Sequence, residues 1–582
     1  PRSPKSRRMT EPLPPGSTIG ILGGGQLGRM LSVAAARLGY RTHIFEPAAN
    51  PPAGDVAHAV ATAPYEDHEA LASFARAVDV VTYEFENVPT SALDALEALR
   101  PIHPNRRALA VSQDRLTEKT FLSGIGLLTA PFAAVGGAAD LDRAIAAARS
   151  AFDSSDWCRD TALRVHCLGQ LRDALNDEIE TLREITIAEA GAPRSLTFRG
   201  QLQTPVDDLE FPAATAERYP WRVDLGVAAP MGISTARTMV REPFGVVGAI
   251  TPWNFPHQIN LAKIGPALAA GCTVVLKPAP DTPWAAAAVG AIAARETEIP
   301  PGVLNIVNSA DHSVGAMLSS DPRVDLVSFT GSTDTGRKVM SAASQSLKRV
   351  FLELGGKSAF IILDDADVAG AASLAAFTAC THAGQGCAIT TRLLLPRSRF
   401  DEGVAAATAT MEALGAKDPQ DPGTICGPVI SARQRDRIEG YLELATSEGG
   451  TFATGGTRSA HHERGFFIDP TLIVGLDNSS RVAREEIFGP VLVAIPYDTD
   501  DEAIDIANDS PYGLSGAVHS SDPERAWAVA QAVRTGTMSI NGGVWYSGDM
   551  PFGGYKASGI GREMGIQGFE EYLETKAIAQ SA

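Results

Sequence analysis

Thr18-Ile19-Gly20-Ile21-Leu22 runs directly into Gly23-Gly24-Gly25-Gln26-Leu27-Gly28 and then into the apolar-periodic run RMLSVAAARLG. A short apolar strand, a glycine turn and a helix in that order fit a parallel α/β layer, in which the helix crosses back over the sheet. Arg41 to Phe45 reads as the next strand and ends at Glu46, an acidic residue about twenty positions beyond the turn. Backbone N–H groups at such a turn can hold a phosphate. A second strand–turn–helix follows much later, where Leu326-Val327-Ser328-Phe329 passes through Thr330-Gly331-Ser332 into a helical segment carrying Gly336. The fold class expected is α/β. At 582 residues the chain is too long for one core, and its length corresponds to about four units of typical domain size.

Charge and composition narrow the partners. The net charge of −18 is spread without a block of like sign, which argues against a nucleic-acid surface. The longest apolar run, Trp284 to Ala294, is too short to span a bilayer, so no membrane partner is expected. Residues 1–16 read as a disordered, basic, Pro-rich extension with no apolar segment behind it, hence not a secretory signal, and Met9 is a candidate start. Cys158, Cys167, Cys272, Cys380, Cys387 and Cys426 show no paired spacing. That fits a reducing cytoplasm better than a disulfide framework or a zinc site. Cys158, His166 and Cys167 read as core or surface residues on one helical stretch, and His461-His462-Glu463 lies in a Gly-rich loop without helical register. No metal is expected.

The chemistry concentrates in Glu353-Leu354-Gly355-Gly356-Lys357 and Gly384-Gln385-Gly386-Cys387. An ionised thiol is a strong nucleophile, and a nearby carboxylate can act as general base on water. E-L-G-G-K-S followed by G-Q-x-C resembles the active-site signatures of the aldehyde dehydrogenase superfamily, and the resemblance runs from residue 136 to the C-terminus. Thr251-Pro252-Trp253-Asn254-Phe255-Pro256, Glu485-Glu486-Ile487-Phe488-Gly489-Pro490 and the late Asn541-Gly542-Gly543 and Pro551 to Gly559 loops belong to the same pattern.

The resemblance implies roles. Cys387 adds to an aldehyde, Asn254 and the Cys387 backbone N–H hold the oxyanion, and Glu353 activates water to release the acid from a thioester. Glu353 favours hydrolysis over transfer to coenzyme A. NAD or NADP would be bound by Ile250, Trp253, Lys277, Gly331, Ser332, Gly336, Leu354, Glu486 and Phe488. Pro280 stands where relatives often carry a glutamate that favours NAD, with Asp281 beside it, so both cofactors are admissible. The implied architecture has a Rossmann-type cofactor domain at 136–355, with an oligomerisation hairpin near 225–242, and an α/β catalytic domain at 356–545. Residues 546–582 would form an entrance loop, to which Trp545 and Tyr546 lead, and a C-terminal oligomerisation segment of a homodimer or homotetramer.

The first unit, 17–134, carries other words. GGGQLGRM, Asp79 to Val88 (DVVTYEFENV) and Gln113-Asp114-Arg115 with Glu118-Lys119 resemble the N-terminal pre-grasp domain of 5-(carboxyamino)imidazole ribonucleotide synthase, of the ATP-grasp superfamily. That implies a Rossmann-like unit with a remnant ribonucleotide site at Gly24, Gly25, Gln26, Leu27, Glu86 and Asn87. The resemblance ends after Ala130-Pro131-Phe132, where the ATP-binding domains would follow, so ATP-driven carboxylation is not expected. Gly136 to Asp140 reads as the linker of a fusion, and AADLDRAIAAARSAFD as the first long dehydrogenase helix. Two alternatives fit the same residues: an inactive chimera, and a dehydrogenase whose first unit binds a purine ribonucleotide.

Overall fold

The computed structural model describes residues 12–113, 115–125, 138–462 and 464–582. Asp114, Ala130-Pro131-Phe132, Gly136-Gly137, Glu463 and most of the 1–16 extension lie outside the described residues. The chain divides into two compact units, Pro1–Ala134 and Val135–Ala582.

In the first unit, β1 (Thr18–Leu22), β2 (Arg41–Phe45), β3 (Ala59–Ala61) and β4 (Val80–Tyr83) form a parallel sheet in the order β3-β2-β1-β4. The helix Gln26–Arg37 makes the first crossover. Leu22, Phe45, Leu71 and Phe74 are buried together, and the Phe45 and Phe74 rings meet edge to face at 5.4 Å. Gly20 makes that packing possible, since a Cβ there would lie 2.7 Å from the Phe74 ring.

The second unit opens on the helix Ala138–Ser154, which buries Leu141, Ile145, Ala148 and Ala151 along one face, the spacing of an amphipathic helix. The next helix, Thr161–Asp177, is capped by Asp160, whose side chain accepts from the Leu163 N–H at 2.9 Å. That cap corrects one expectation: Cys158 precedes the helix, while His166 and the buried Cys167 lie on it. His166 faces Glu298 at 3.4 Å, and no group of three potential metal ligands occurs among the described residues.

Strands β5 (Arg222–Ala228) and β6 (Thr235–Pro243) form an antiparallel hairpin. Then β7 (Val246–Ile250), β8 (Thr273–Lys277), β9 (Leu304–Ile306), β10 (Leu326–Thr330) and β11 (Arg349–Glu353) build a parallel sheet. Its order, β11-β10-β7-β8-β9, reverses direction at β7, and α/β proteins bind ligands at the carboxyl ends of the strands beside such a switch point. Strands β8 and β10 are buried along their whole length, as both faces are covered by helices.

A second sheet follows from β12 (Ser358–Ile362), β13 (Thr390–Pro396), β14 (Thr451–Thr454), β15 (Thr471–Val474), β16 (Val491–Tyr497), β17 (Gly516–His519) and β18 (Ser539–Ile540), in the order β14-β15-β16-β13-β12-β17-β18. Finally β19 (Gly559–Ile560) adds to β11 antiparallel, and β20 (Leu573–Ser581) pairs with β6 to complete a three-stranded sheet. Among the described residues no helix is long and apolar enough to cross a membrane.

Candidate active site

The chain leaves β7 at Ile250 and turns through Thr251 to Phe255 into the helix Pro256–Ala270. Thr251 locks the turn: its N–H donates to Lys277 O at 3.2 Å and its hydroxyl to Asn260 Oδ1 at 2.7 Å. Asn254 is 4% exposed. Its amide donates to Gln385 O at 2.9 Å, two residues before the thiol, and its own carbonyl accepts from Gln201 Nε2 at 3.1 Å.

The thiol sits on a strained turn. After the helix Val368–Cys380, the residues His382 (φ 50°), Ala383 (φ 52°) and Gly384 (φ 70°) are all left-handed, a conformation that non-glycine residues adopt at a cost and that clusters at functional sites. Gln385 fastens the turn by donating to His382 O at 3.1 Å and accepting from the Ile430 N–H at 2.9 Å. Burial, with carboxylates of Glu353, Glu486 and Glu563 nearby, pushes the Cys387 thiol well up from its usual range.

Glu353 ends β11, is 1% exposed, and neither carboxyl oxygen has a partner among the described residues. Burial raises its pKa well above the ordinary value, Glu563 adds to that, and Lys263 and Arg562 oppose it. The two glycines after it have different neighbours. A Cβ on Gly355 would lie 2.6 Å from Glu486 Oε2, and one on Gly356 would collide with the Cys387 carbonyl. The E-L-G-G turn thus needs its glycines to admit a carboxylate on one side and the thiol turn on the other. Ser558 pins it, its hydroxyl donating to Gly355 O at 2.6 Å.

These pieces meet at two adjoining cavities. One, of about 500 Å³, is lined by Asn254, Glu353 and Cys387 together with Trp545 and Tyr546. The other, of about 410 Å³, is bounded by Trp253, Gly331, Ser332, Leu354, Glu486 and Phe488. Cys387, Asn254 and Thr330 line both, so the thiol stands where the two spaces join.

Residues 131–578 match the model of the aldehyde dehydrogenase family. The chain belongs to that family. Geranial dehydrogenase of Castellaniella defragrans is 41% identical over 442 residues, covering 75% of this chain and 90% of its own. A 3-succinoylsemialdehyde-pyridine dehydrogenase of Pseudomonas sp. is 43% identical over 442 residues, with the same coverage of 75% and 90%. Among solved structures, an aldehyde dehydrogenase of Mycobacterium tuberculosis complexed with NAD+ is 41% identical, with a TM-score of 0.74 over 77% of this chain and 91% of its own. Residues 17–113 match the ribonucleotide synthetase preATP-grasp domain. The protein is an NAD(P)-dependent aldehyde dehydrogenase with a pre-ATP-grasp-like N-terminal domain.

The dehydrogenase's second cavity has a lining whose chemistry suits the pyrophosphate and nicotinamide part of a dinucleotide. Ser332 caps the helix Thr333–Ala343, and its turn faces the cavity with a helix N-terminus behind it, a favourable setting for a pyrophosphate. Gly336 lies behind the lining, where a Cβ would meet Leu354 Cδ2 at 2.6 Å. Glu486 accepts from the Gly356 N–H at 2.9 Å, and burial raises its pKa. Phe488, at φ 63°, sets its ring edge-on to Trp253 at 5.4 Å, and Gln434 holds its carbonyl at 2.7 Å. Ile250 and Lys277 lie outside that lining, paired across β7 and β8. The Lys277 ammonium, lowered in pKa by burial and countered by Asp311, donates to Pro278 O at 3.1 Å.

Four residues of the site have no catalytic motif to announce them. Thr330 has a buried hydroxyl without a partner among the described residues, at the junction of the cavities. Lys263 and Glu563 form a buried ion pair close to Glu353. Arg433 lines the cofactor cavity, exposed and without a hydrogen bond or ion pair among the described residues. Thr330 stands in the Thr330-Gly331-Ser332 turn, and for the ion pair the signal in the sequence is a lysine inside the apolar stretch INLAKIGPALAAG.

In the first unit the glycine turn is occupied by the chain itself. Gly24 N–H donates to Glu46 at 2.8 Å, Gly25 N–H donates to Glu84 at 2.7 Å, and Gly28 N–H also donates to Glu84. Gln26 and Leu27 are exposed, as are Glu86 and Asn87, so Glu84 rather than Glu86 is the acidic residue of the DVVTYEFENV segment that faces the turn.

Proposed function

We propose that Cys387 is the nucleophile, Asn254 the oxyanion donor and Glu353 the hydrolytic base of an aldehyde oxidation. The observation that supports this reading is the position of Cys387 at the junction of the two cavities, with Asn254 and Glu353 in the larger one. Bound NAD would supply the hydride acceptor from the side of Trp253 and Phe488.

The Cys387 thiol, which burial holds in its neutral form, passes its proton to the Glu353 carboxylate, which releases it to bulk water, as the sulfur attacks the carbonyl carbon. The oxygen takes the electron pair and is stabilised by the second Asn254 amide hydrogen, the first being committed to Gln385 O, and by the Cys387 N–H. Collapse of this thiohemiacetal expels hydride and leaves a thioester on Sγ. Glu353 removes a proton from water as it attacks the thioester, and the carboxylic acid departs as the thiolate reforms. A carboxyl raised in pKa by burial is a stronger base than an ordinary one, which suits this step.

Among cofactors we favour NAD. Asp281 and Asp311 flank the Lys277 region, and a 2′-phosphate would meet their like charge. Arg433 would face the pyrophosphate. The sheet of β5, β6 and β20 would pair with a second copy in a homodimer or homotetramer, since Val227, Met231 and Ile233 are 64%, 98% and 62% exposed there. Six free thiols suit a cytoplasmic setting.

The test is reduced-nicotinamide formation from an aldehyde panel. Wild type turns over, Cys387→Ala gives none, and Asn254→Ala loses roughly 10²–10³ in kcat. Undiminished turnover in Cys387→Ala refutes the reading.

A further inference from the structure

Resting on the dehydrogenase reading above, the larger cavity carries information about which aldehydes enter it. Its volume of about 500 Å³ lies in the range that takes a drug-sized ligand, far more than a two-carbon aldehyde needs. The rings along it are packed against neighbours: Trp545 stacks on Phe552 at 5.1 Å with 2° between planes, and Phe360 on His519 at 4.9 Å with 16°. Trp545 and Phe360 thus present flat apolar walls, and Tyr546 stands edge-on to Trp545 at 6.2 Å with 71° between planes.

The charged groups facing the space are few. No lysine or arginine among the described residues lines it. Its carboxyl groups are Glu353 and Glu563, and Glu563 is already neutralised by Lys263 at 2.9 Å. Glu353 stands near Cys387, at the reacting end of the cavity, and burial holds the His519 ring toward its neutral form. An aldehyde with a carboxylate tail would therefore lose its hydration without gaining a cation, and one with an ammonium tail would find no free carboxylate away from the reacting end, where its own carbonyl must lie.

We infer that this cavity selects neutral, apolar aldehydes of medium to long chain, with Trp545 as a specificity-determining wall, and discriminates against aldehydes bearing a carboxylate or a quaternary ammonium.

The experiment compares kcat/KM of the full-length enzyme with NAD for propanal, hexanal, octanal, succinic semialdehyde and betaine aldehyde. Each added methylene should raise kcat/KM by about four-fold while it is buried. Both charged aldehydes should fall at least roughly a hundred-fold below octanal, the discrimination expected for an unpaired buried charge. In Trp545→Ala the gain per methylene between hexanal and octanal should shrink to less than about two-fold. A charged aldehyde that equals or exceeds octanal overturns this inference and leaves the dehydrogenase reading standing. So does a flat series from propanal to octanal. Failure to oxidise any of the five overturns both.

Discussion

Lys263 Nζ lies 2.9 Å from Glu563 Oε1, with side-chain exposures of 0% and 6%. The ammonium also donates to Ser328 Oγ at 2.9 Å and sits 4.9 Å over the Phe351 ring. Glu563 and Lys263 act on Glu353 in opposite senses, the first raising its pKa and the second lowering it. Burial is the larger cause of the raised pKa, and the pair adjusts it.

Lys263→Met removes the stronger of the two opposing charges and leaves burial and Glu563 countered by Arg562 alone. A base works in its ionised form, so the ascending limb of kcat against pH should move to higher pH. Lys263→Met/Glu563→Gln should move it back. The single variant also strands a buried carboxylate and should cost about 3–5 kcal/mol of stability, with the double variant recovering part. The checks are pH–rate profiles and urea unfolding, and an unmoved limb in the single variant contradicts the assignment.

Gly356→Ala places a methyl against the Cys387 carbonyl. The nearest obstacle is backbone, with the Leu514 side chain beyond it, so the thiol turn must shift. Because small misplacements at a reacting centre are costly, kcat should fall by about a hundred-fold while the cofactor still binds. Activity within about two-fold of wild type would mean that the two turns are not in register during turnover.

Asp311 caps the helix His312–Ser320, accepting from the Ser313 N–H at 2.8 Å, and its charge reaches Lys277. Pro280 carries no charge, so on the proposed NAD reading Asp311, whose charge reaches Lys277, is the acidic group to test against a 2′-phosphate. NAD should be preferred over NADP by at least about ten-fold in kcat/KM, and Asp311→Asn should narrow the ratio by several-fold, as one opposed charge at short range permits. Equal ratios in the two proteins would remove Asp311 from cofactor choice.

The first unit's turn should not take phosphate. Gly24, Gly25 and Gly28 already donate to Glu46 and Glu84, and an incoming dianion would face both carboxylates. Inorganic phosphate at millimolar concentration should leave the melting temperature unchanged beyond its ionic-strength effect. A saturable rise lost in Gly24→Ala would show a working anion site.

The alternation of apolar strands, glycine turns and helices makes both α/β layers legible, and the E-L-G-G-K and G-Q-x-C words lead to Cys387 and Glu353 through their resemblance to the family's signatures. Glycines that abut Glu486 and the Cys387 carbonyl cannot be other residues, so they mark the site in the sequence. Lys263 and Glu563 are not legible because they are 300 residues apart and meet through packing of the helix Pro256–Ala270 under the turn after β19. Glu84 is hidden for a related reason. DVVTYEFENV carries two glutamates, and the one that turns inward depends on how the chain leaves β4. Cys158 reads as helical from its surroundings because nothing in its own residue type reports that Asp160 starts the helix after it.

The most direct test of the central claim is a single-turnover reaction of Glu353→Gln with NAD and octanal, followed by intact-protein mass measurement. The introduced amide is nearly isosteric with the carboxyl but cannot accept a proton; the thiol can lose its proton to water directly, so hydride transfer should slow but still occur. The account predicts a burst of about one reduced nicotinamide per active site, deacylation slowed by roughly 10²–10⁴, and an octanoyl mass increment on Cys387. Steady turnover at the wild-type rate with no acyl adduct would contradict it.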